Sequence, residues 1–504
     1  MKLNILVTTD VHGNIFPTNY TSRDNVEPYG LARISTAIKE FRKNEHTLLI
    51  DNGDAFQGTP LLTYALAHRD QQKNPMAQAF NYLNYDYINL GNHDFNFGQD
   101  ILFDFIEQNE APLLTQNATY NNRPLGQTQI IEIEDKKIAI LGVLTQYIPK
   151  WERDVNIEDM TFESAYLSVK ESVEKIKNDV DYIIVCYHGG FERDLDSGEP
   201  TESLTGENEG FQMCDIDGVD ILITGHQHRS IAQNLNGVLV TQSAYKGQEF
   251  ALIELDLQTG EKSASLVDAS NYEPDQDLLD KFKPLQSLTQ DWLDETVGTL
   301  EGGPILVTDA FEARLNKHPL VSLINQIQMH RTKAQLSAVS LFSDSRGFNQ
   351  TITMRDVVST YLYPNTLVLK KVSGHNIKQY LELSAEYFEI IDGKIGVNPS
   401  YDWPKPKHYN YDMMDGLDYT IKVSNTPGTR IMDMVFEGKP FDLDRDYTLA
   451  INNYRATGGG DFYMIKDSET IEDLPDEMVD ILTQYLEDHP IVTVNHKDNI
   501  KVIV

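Results

Sequence analysis

Five short segments in the first 228 residues carry side chains suited to divalent metals. They are Asp10-Val11-His12, Gly53-Asp54, Gly91-Asn92-His93-Asp94, His188-Gly189-Gly190 and Gly225-His226-Gln227-His228. Carboxylates, one amide oxygen and imidazoles, without a thiolate, suit first-row ions such as Mn, Fe, Co or Zn. Asp10 and His12 stand two apart just beyond an extended run, where side chains at i and i+2 point the same way and can meet one cation. Asp54 has two oxygens and can bridge two cations. Two ions about 3.5–4 Å apart can hold a hydroxide between them and polarise a phosphoryl oxygen. A lone His in an apolar strand is usually structural, and Gly-Asp or Gly-Asn pairs are usually turns. Their joint occurrence, in order and each behind an apolar run, points to a two-metal hydrolase.

The elements that must position these groups are short strands: Asn4–Thr9, Thr47–Ile50, Tyr87–Leu90, Tyr182–Cys186 and Ile221–Thr224. Strand ends in one sheet lie side by side, so the ligands are expected on one rim. Helical patterns over Leu31–Lys43 and Phe162–Asn178 alternate with the strands and argue for α/β layers. Ile130–Ile133 and Lys137–Val143 read as an antiparallel hairpin, and Gly237–Gln242 and Phe250–Leu257 as further strands. Residues 1–270 form the first expected domain. Residues 271–297, with helical spacing and Pro284, read as a helical linker. Residues 298–504 start a second α/β unit, with helices over His318–Met329, Met354–Tyr361 and Ile377–Ser384 and strands Ala338–Phe342 and Tyr447–Asn452. Residues 398–416 read as a long functional loop.

At 504 residues the chain exceeds a single core. Lys plus Arg total 42 against 77 Asp plus Glu, a net charge of −35. That charge argues against a nucleic acid polymer or a membrane surface as partner, and leaves an anionic small substrate in need of a local cationic site. No apolar run approaches the roughly 20 residues that span a bilayer, and no leader pattern precedes the first strand. The expectation is a cytoplasmic protein, a monomer or weak dimer. Cys186 and Cys214 cannot form a disulfide framework, and Cys186, inside an apolar strand, reads as a packing residue. Asn117-Ala118-Thr119 reads as an accidental triplet. Gly458-Gly459-Gly460 lacks the Gly-Lys-Ser/Thr ending of a P-loop, so an ATPase reading fails.

The order DxH, GD, GNH, H, GHxH resembles the calcineurin-like metallophosphoesterases. Together with Asn452-Asn453-Tyr454-Arg455-Ala456-Thr457-Gly458-Gly459-Gly460, the chain resembles the two-domain 5′-nucleotidase family over its whole length. The resemblance implies an α/β (α+β) fold. A four-layer α/β/β/α metallophosphoesterase domain is joined by the helical linker to a C-terminal α/β nucleotidase domain that binds substrate. It implies one cation held by Asp10, His12, Asp54 and His228 and another by Asp54, Asn92, His188 and His226, with Mn, Zn, Co or Fe as candidates. His93 matches the family's catalytic His. The family commonly reads G-N-H-E-F-D, whose final Asp pairs with that His, whereas Asn96 stands here and would orient His93 without an anionic charge.

Asn96 is similar to the bacterial 2′,3′-cyclic-nucleotide 2′-phosphodiesterase/3′-nucleotidase branch, as is the run Tyr361-Leu362-Tyr363-Pro364-Asn365-Thr366-Leu367. The G-G-G-I-R of 5′-nucleotidases is absent near Ser343-Asp344-Ser345-Arg346. Tyr411 and Tyr454 fall where the family sandwiches the nucleobase, with Tyr409 as the alternative to Tyr411. Asn452 and Asp461 are candidates for base or ribose, and Arg455 for ribose or phosphate. The expected protein is a hydrolase of nucleotide catabolism in which a metal-bridging hydroxide attacks phosphorus. The family further implies a site between the two domains that closes by rotation. A 5′-nucleotidase or UDP-sugar hydrolase is the alternative within the class, and an inactive nucleotide-binding sensor the alternative outside it.

Overall fold

Period-two alternation decides the architecture of the first half of the chain. Ile138 and Ile140 face one core while Ala139, Leu141 and Val143 face another, and Ile184 and Cys186 alternate likewise with Ile183, Val185 and Tyr187. A strand apolar on both faces must be covered on both. In the computed structural model, all residues are described except Met1, Asn44, Glu45, Glu202, Ser203, Pro364, Pro404 and Lys405. The chain divides into units Met1–Gln290 and Asp291–Val504.

Two large sheets build the first unit. Their strands in chain order are β1 (Lys2–Thr8), β2 (His46–Asp51), β3 (Tyr87–Ile88), β4 (Gln129–Ile133), β5 (Lys136–Leu144), β6 (Tyr182–His188), β7 (Ile221–Ile223), β8 (Ser230–Leu235), β9 (Val238–Ser243), β10 (Glu249–Asp256) and β11 (Lys262–Asp268). One sheet runs β11-β10-β1-β2-β3, the other β8-β9-β7-β6-β5-β4. Leu3, Ile5, Val7 and Ile253 of the first pack against Ile140, Ile184, Cys186 and Ile223 of the second. Helix α1 (Leu31–Phe41) covers the outer face of the first sheet, where the Phe41 and Phe250 rings meet edge to face at 6.3 Å. Helix α2 (Ala165–Ile176), capped by Ser164 Oγ on the Leu167 N–H, covers the second through Val169 and Val173. The result is α/β/β/α layering.

The single sheet rim read from the strand ends is thereby corrected, and the two β layers that the family resemblance implies are found. Both sheets are mixed: β1, β2 and β3 pair in parallel, as do β5, β6, β7 and β9, while the β4–β5 hairpin is antiparallel. Three candidate ligand segments leave the first sheet and two leave the second. Cys186 is fully buried between the sheets, where burial pushes its thiol up. Helix α3 (Gln276–Leu293) contains Pro284 and lies along the first unit: Tyr20 Oη donates to Gln286 Oε1, and Lys39 pairs with Asp275 at 2.6 Å.

The second unit is built on a five-stranded sheet, in the order Asp412–Asp415, Leu336–Ser340, Asp446–Asn452, Thr366–Ser373, Glu469–Glu477. Helix α4 (Pro319–Thr332) is fixed on it by Asn325 Oδ1 and Gln328 Oε1, which lie 2.8 and 2.7 Å from Ser337 Oγ and share its one hydrogen. Residues 398–416 are only partly a loop, since Asp412–Asp415 is an edge strand of this sheet. Pro364, part of the motif read at 361–367, lies outside the described residues. Among the described residues no helix is long and apolar enough to cross a membrane.

One buried ion pair pins this unit. Arg455 Nε donates to Asp412 Oδ2 at 2.7 Å with both side chains at most 4% exposed, and Tyr380 Oη donates to the same carboxylate. Removing one partner of such a pair strands a charge and costs roughly 3–5 kcal/mol. Asp412→Ala is expected to lower the unfolding midpoint of the second unit by several degrees in scanning calorimetry. An unchanged midpoint would refute this structural role.

Candidate metal centre

The first two ligand segments run side by side beyond the strands. Asp10 N–H donates to Gly53 O, His12 N–H to Asp54 O and Gly13 N–H to Ala55 O, at 2.8–3.0 Å. This ladder prolongs the β1–β2 pairing but in a curled form. β1 ends at Thr8, and Asp10 and His12 have φ of +52° and +46°. A turn therefore brings them together, which corrects the extended i, i+2 reading. Asp54, His226 and His228 are also left-handed, at +56°, +68° and +56°. For non-glycine residues each such conformation costs of order 1 kcal/mol and persists only where surrounding contacts enforce it.

Asp94 supplies much of that enforcement. Its fully buried carboxylate accepts from the N–H groups of Asp54, Ala55, Phe56 and Gly91 at 2.8–3.3 Å. Asp54 Oδ1 in return accepts from His93 N–H at 2.7 Å. The second and third segments approach so closely that a Cβ on Gly53 would sit 2.4 Å from Gly91 N. Burial and the nearby Asp54 carboxylate push the Asp94 carboxyl up to about 6.

The candidate ligand atoms fall into two groups, Asp10/His12/His228 and Asp54/His188/His226, the atoms of each within 4.8 Å of one another. His12 Nδ1 faces Gln57 O at 2.9 Å and His188 Nδ1 faces Asn52 O at 2.6 Å. A carbonyl only accepts, so each Nδ1 carries a hydrogen and each Nε2 points inward, where it presents a lone pair whenever it is unprotonated. His12 Nε2 meets His228 Nε2 at 3.2 Å, and His188 Nε2, fully buried, has no hydrogen-bond partner 3.2 Å from Asp54 Oδ2. His226 Nε2 lies 3.1 Å from Glu207 Oε1, while its Nδ1 faces Asn92 Oδ1 at 2.7 Å. Lone pairs aimed at one another, backed by carbonyls and a carboxylate, are the donor chemistry that divalent cations satisfy. The residues fit two ions.

The electrostatics agree. Burial alone would raise Asp10 and Asp54, but the facing histidines, His188 first, hold both carboxyls below the usual range. Burial lowers His188, yet Asp54 and Asp10 overcome it and raise the ring to about 10. Burial pushes His12 down to about 3. Tyr245 stacks on His228 at 4.7 Å and Trp151 on His226 at 5.5 Å, which limits how far these rings can turn.

His93 Nδ1 lies 2.7 Å from Asn96 Oδ1. Behind it stands Glu152, whose carboxyl burial pushes up while the Asn156 and Asn96 amides hold it down. Asp94, Glu152, Glu207 and the Asn52 and Gln57 carbonyls escape sequence reasoning. Only Asp94 offered a signal, as the acidic residue three places into a short helical turn that starts after Gly91.

In the second unit two expected substrate contacts, Tyr411 and Arg455, are corrected, while Asn452 and Asp461 keep polar groups open to a ligand. Tyr411 is fully buried and stacked on Tyr387 at 4.9 Å, because it abuts the Asp412–Asp415 strand. Arg455 is consumed by Asp412, Gly459 O and Tyr409 O, so it is not available to ribose or phosphate. Asn452 caps a helical turn by accepting from the Arg455 N–H. Asp461 is exposed and accepts from Tyr463 Oη at 2.9 Å. Tyr454 and Tyr409 are half-buried with ring centroids 6.4 Å apart. Tyr409 thus replaces Tyr411 as the second candidate ring.

Ligand loops at the strand ends of two packed sheets, three from one and two from the other, on an α/β/β/α sandwich, are the arrangement of a calcineurin-like phosphoesterase. The sequence profile of that family matches residues 3–230, and the profile of the 5′-nucleotidase C-terminal domain matches residues 296–467. A Staphylococcus aureus crystal structure, provisionally described as a 5′-nucleotidase, is 35% identical, covers both chains fully and superposes with a TM-score of 0.94. The chain belongs to the 5′-nucleotidase family and is a metal-dependent phosphoesterase. The 2′,3′-cyclic-nucleotide 2′-phosphodiesterase/3′-nucleotidase of Salmonella typhimurium is 28% identical over 96% of this chain and 86% of its own. The trifunctional nucleotide phosphoesterase of Bacillus subtilis is 26% identical, and this chain spans 38% of its length.

Adding Mn²⁺ to metal-free protein near pH 7 is expected to stabilise the fold, by about 2.7 kcal/mol at 100 times Kd, and so to raise the unfolding midpoint. It should also release protons, because His188 must lose its hydrogen to offer a lone pair. Asp54→Ala should abolish both responses. A thermal shift that survives in Asp54→Ala would contradict the shared role of this carboxylate.

Proposed function

We propose that this phosphoesterase hydrolyses 2′,3′-cyclic nucleotides and 3′-nucleotides. The observation that carries this reading is the run of relatives so named from Salmonella typhimurium, Haemophilus influenzae and Yersinia enterocolitica, at 25–28% identity over 96% of the chain. Asn96 beside His93 supports it. The Staphylococcus aureus neighbour favours a second reading, 5′-nucleotidase activity.

One cation is assigned to Asp10, His12, Asp54 and His228, the other to Asp54, Asn92, His188 and His226. Bound divalent ions, with Mn, Zn, Co or Fe as candidates, supply Lewis-acid polarisation and an activated nucleophile at neutral pH. On a chain of net charge −35 they also offset the repulsion of a phosphate. The protein's own residues handle orientation and the proton. Asn96 keeps one hydrogen on His93 Nδ1, so that in the doubly protonated ring the Nε2–H points to the departing nucleoside oxygen, stabilises its charge and passes it that proton, leaving the neutral Nδ1–H ring. Tyr454, with Tyr409, holds the base by stacking, which tolerates any base because each presents a π-face.

With manganese-loaded protein, 2′,3′-cyclic AMP and 3′-AMP are expected to turn over faster than 5′-AMP. Preference for 5′-AMP selects the second reading, and no turnover selects a sensor. His93→Ala should lower kcat by about 10²–10⁴-fold. Tyr454→Ala should instead raise KM by roughly five- to 150-fold, and an unchanged KM would remove Tyr454 from the base site.

A further inference from the structure

Glu152 belongs to neither ligand group, yet it ends a chain of contacts that starts at His93. His93 Nδ1 faces Asn96 Oδ1 at 2.7 Å, and Asn96 Nδ2 donates to Glu152 Oε1 at 2.5 Å. Glu152 Oε2 accepts from Asn156 Nδ2 at 2.9 Å, and the same amide reaches Asn96 O at 3.1 Å. Glu152 is 7% exposed. Both of its oxygens are met by N–H donors, an arrangement that suits the carboxylate.

An amide has one donor end and one acceptor end. Which end Asn96 shows to His93 is therefore decided by what holds the other end. A carboxylate only accepts, so the Asn96 NH₂ turns to Glu152 and the carbonyl to the imidazole. That carbonyl in turn requires the hydrogen on His93 Nδ1. We infer that Glu152 is a positioning residue, which through Asn96 fixes the tautomer and aim of His93 and returns to the dyad the negative charge that Asn96 lacks. The inference rests on the proposed phosphoesterase role of His93.

Donor and acceptor complementarity supplies a test by exchange. In Glu152→Gln the new amide can accept at one end only, so Asn96 or Asn156 meets a second donor. In Asn96→Asp two carboxylates face each other. In the double variant Asn96→Asp/Glu152→Gln every contact is satisfied again: the carboxylate at 96 accepts from His93 and from the amide at 152, whose carbonyl accepts from Asn156. With manganese and 2′,3′-cyclic AMP, each single variant is expected to lose roughly 10–100-fold in kcat with little change in KM. The double variant should recover to within about threefold of wild type, the non-additivity of directly coupled groups. In metal-free protein, the imidazole ¹⁵N shifts of His93 should report Nδ1–H in wild type and in the double variant, and a mixed tautomer in Glu152→Gln. Full activity with unchanged shifts in Glu152→Gln, or a double variant no better than the worse single one, would overturn the inference. If the wild type turns over no phosphoester, the functional reading fails instead, and the ¹⁵N shifts alone then decide whether Glu152 sets the His93 tautomer.

Discussion

The mutual grip of Asp54 and Asp94 is the interaction on which the rest of the centre depends. Each residue accepts backbone N–H groups from the other's loop, across a contact so close that Gly53 and Gly91 leave no room for a Cβ. Buried N–H groups at curled loops must find acceptors or cost about 1–3 kcal/mol each. One carboxylate satisfying four of them is an economical answer, and it fixes the spacing of the second and third segments. The first segment is then fixed in turn by its ladder onto Gly53, Asp54 and Ala55.

The two sheets complete the geometry. β6 and β7 bring His188, His226 and His228 from the second sheet to carboxylates that leave the first, with Asp10 accepting from the His226 N–H at 3.1 Å. Five of the seven candidate ligands are held in left-handed backbone. Two buried carboxylates and four imidazoles in one small volume form an arrangement that costs folding energy unless charge and lone pairs are matched. Strain and unmatched donors concentrated at one spot mark a site shaped for something other than stability.

The sequence carried some of this and not the rest, for physical reasons. The apolar runs before Asp10, Asp54 and His188 are readable because a strand buried on both faces needs nothing but β-branched and aliphatic residues. The β4–β5 hairpin is readable from its Glu134-Asp135-Lys136 turn. Which strands share a sheet is not local information, so the strand patterns alone do not separate two sheets from one; only the family resemblance carries the second sheet. The left-handed turn at Asp10 and His12 is likewise hidden, because it is enforced by partners 40 residues away in the second loop. Tyr411 and Arg455 show the converse. Their residue types suit ligand binding, but the edge strand at Asp412 buries the ring and its carboxylate claims the guanidinium. Glu152 has no sequence signature at all; only the placement of two asparagine amides reveals it.

The seven side chains of the five segments are proposed to form one site for two divalent ions that share Asp54. Anomalous diffraction at the manganese edge, from crystals grown with Mn²⁺, tests it most directly. Two peaks are expected, one within bonding distance of Asp10, His12 and His228 and one of Asn92, His188 and His226, with an Asp54 oxygen on each. A single peak, or peaks that leave Asp54 without a metal contact, would contradict it.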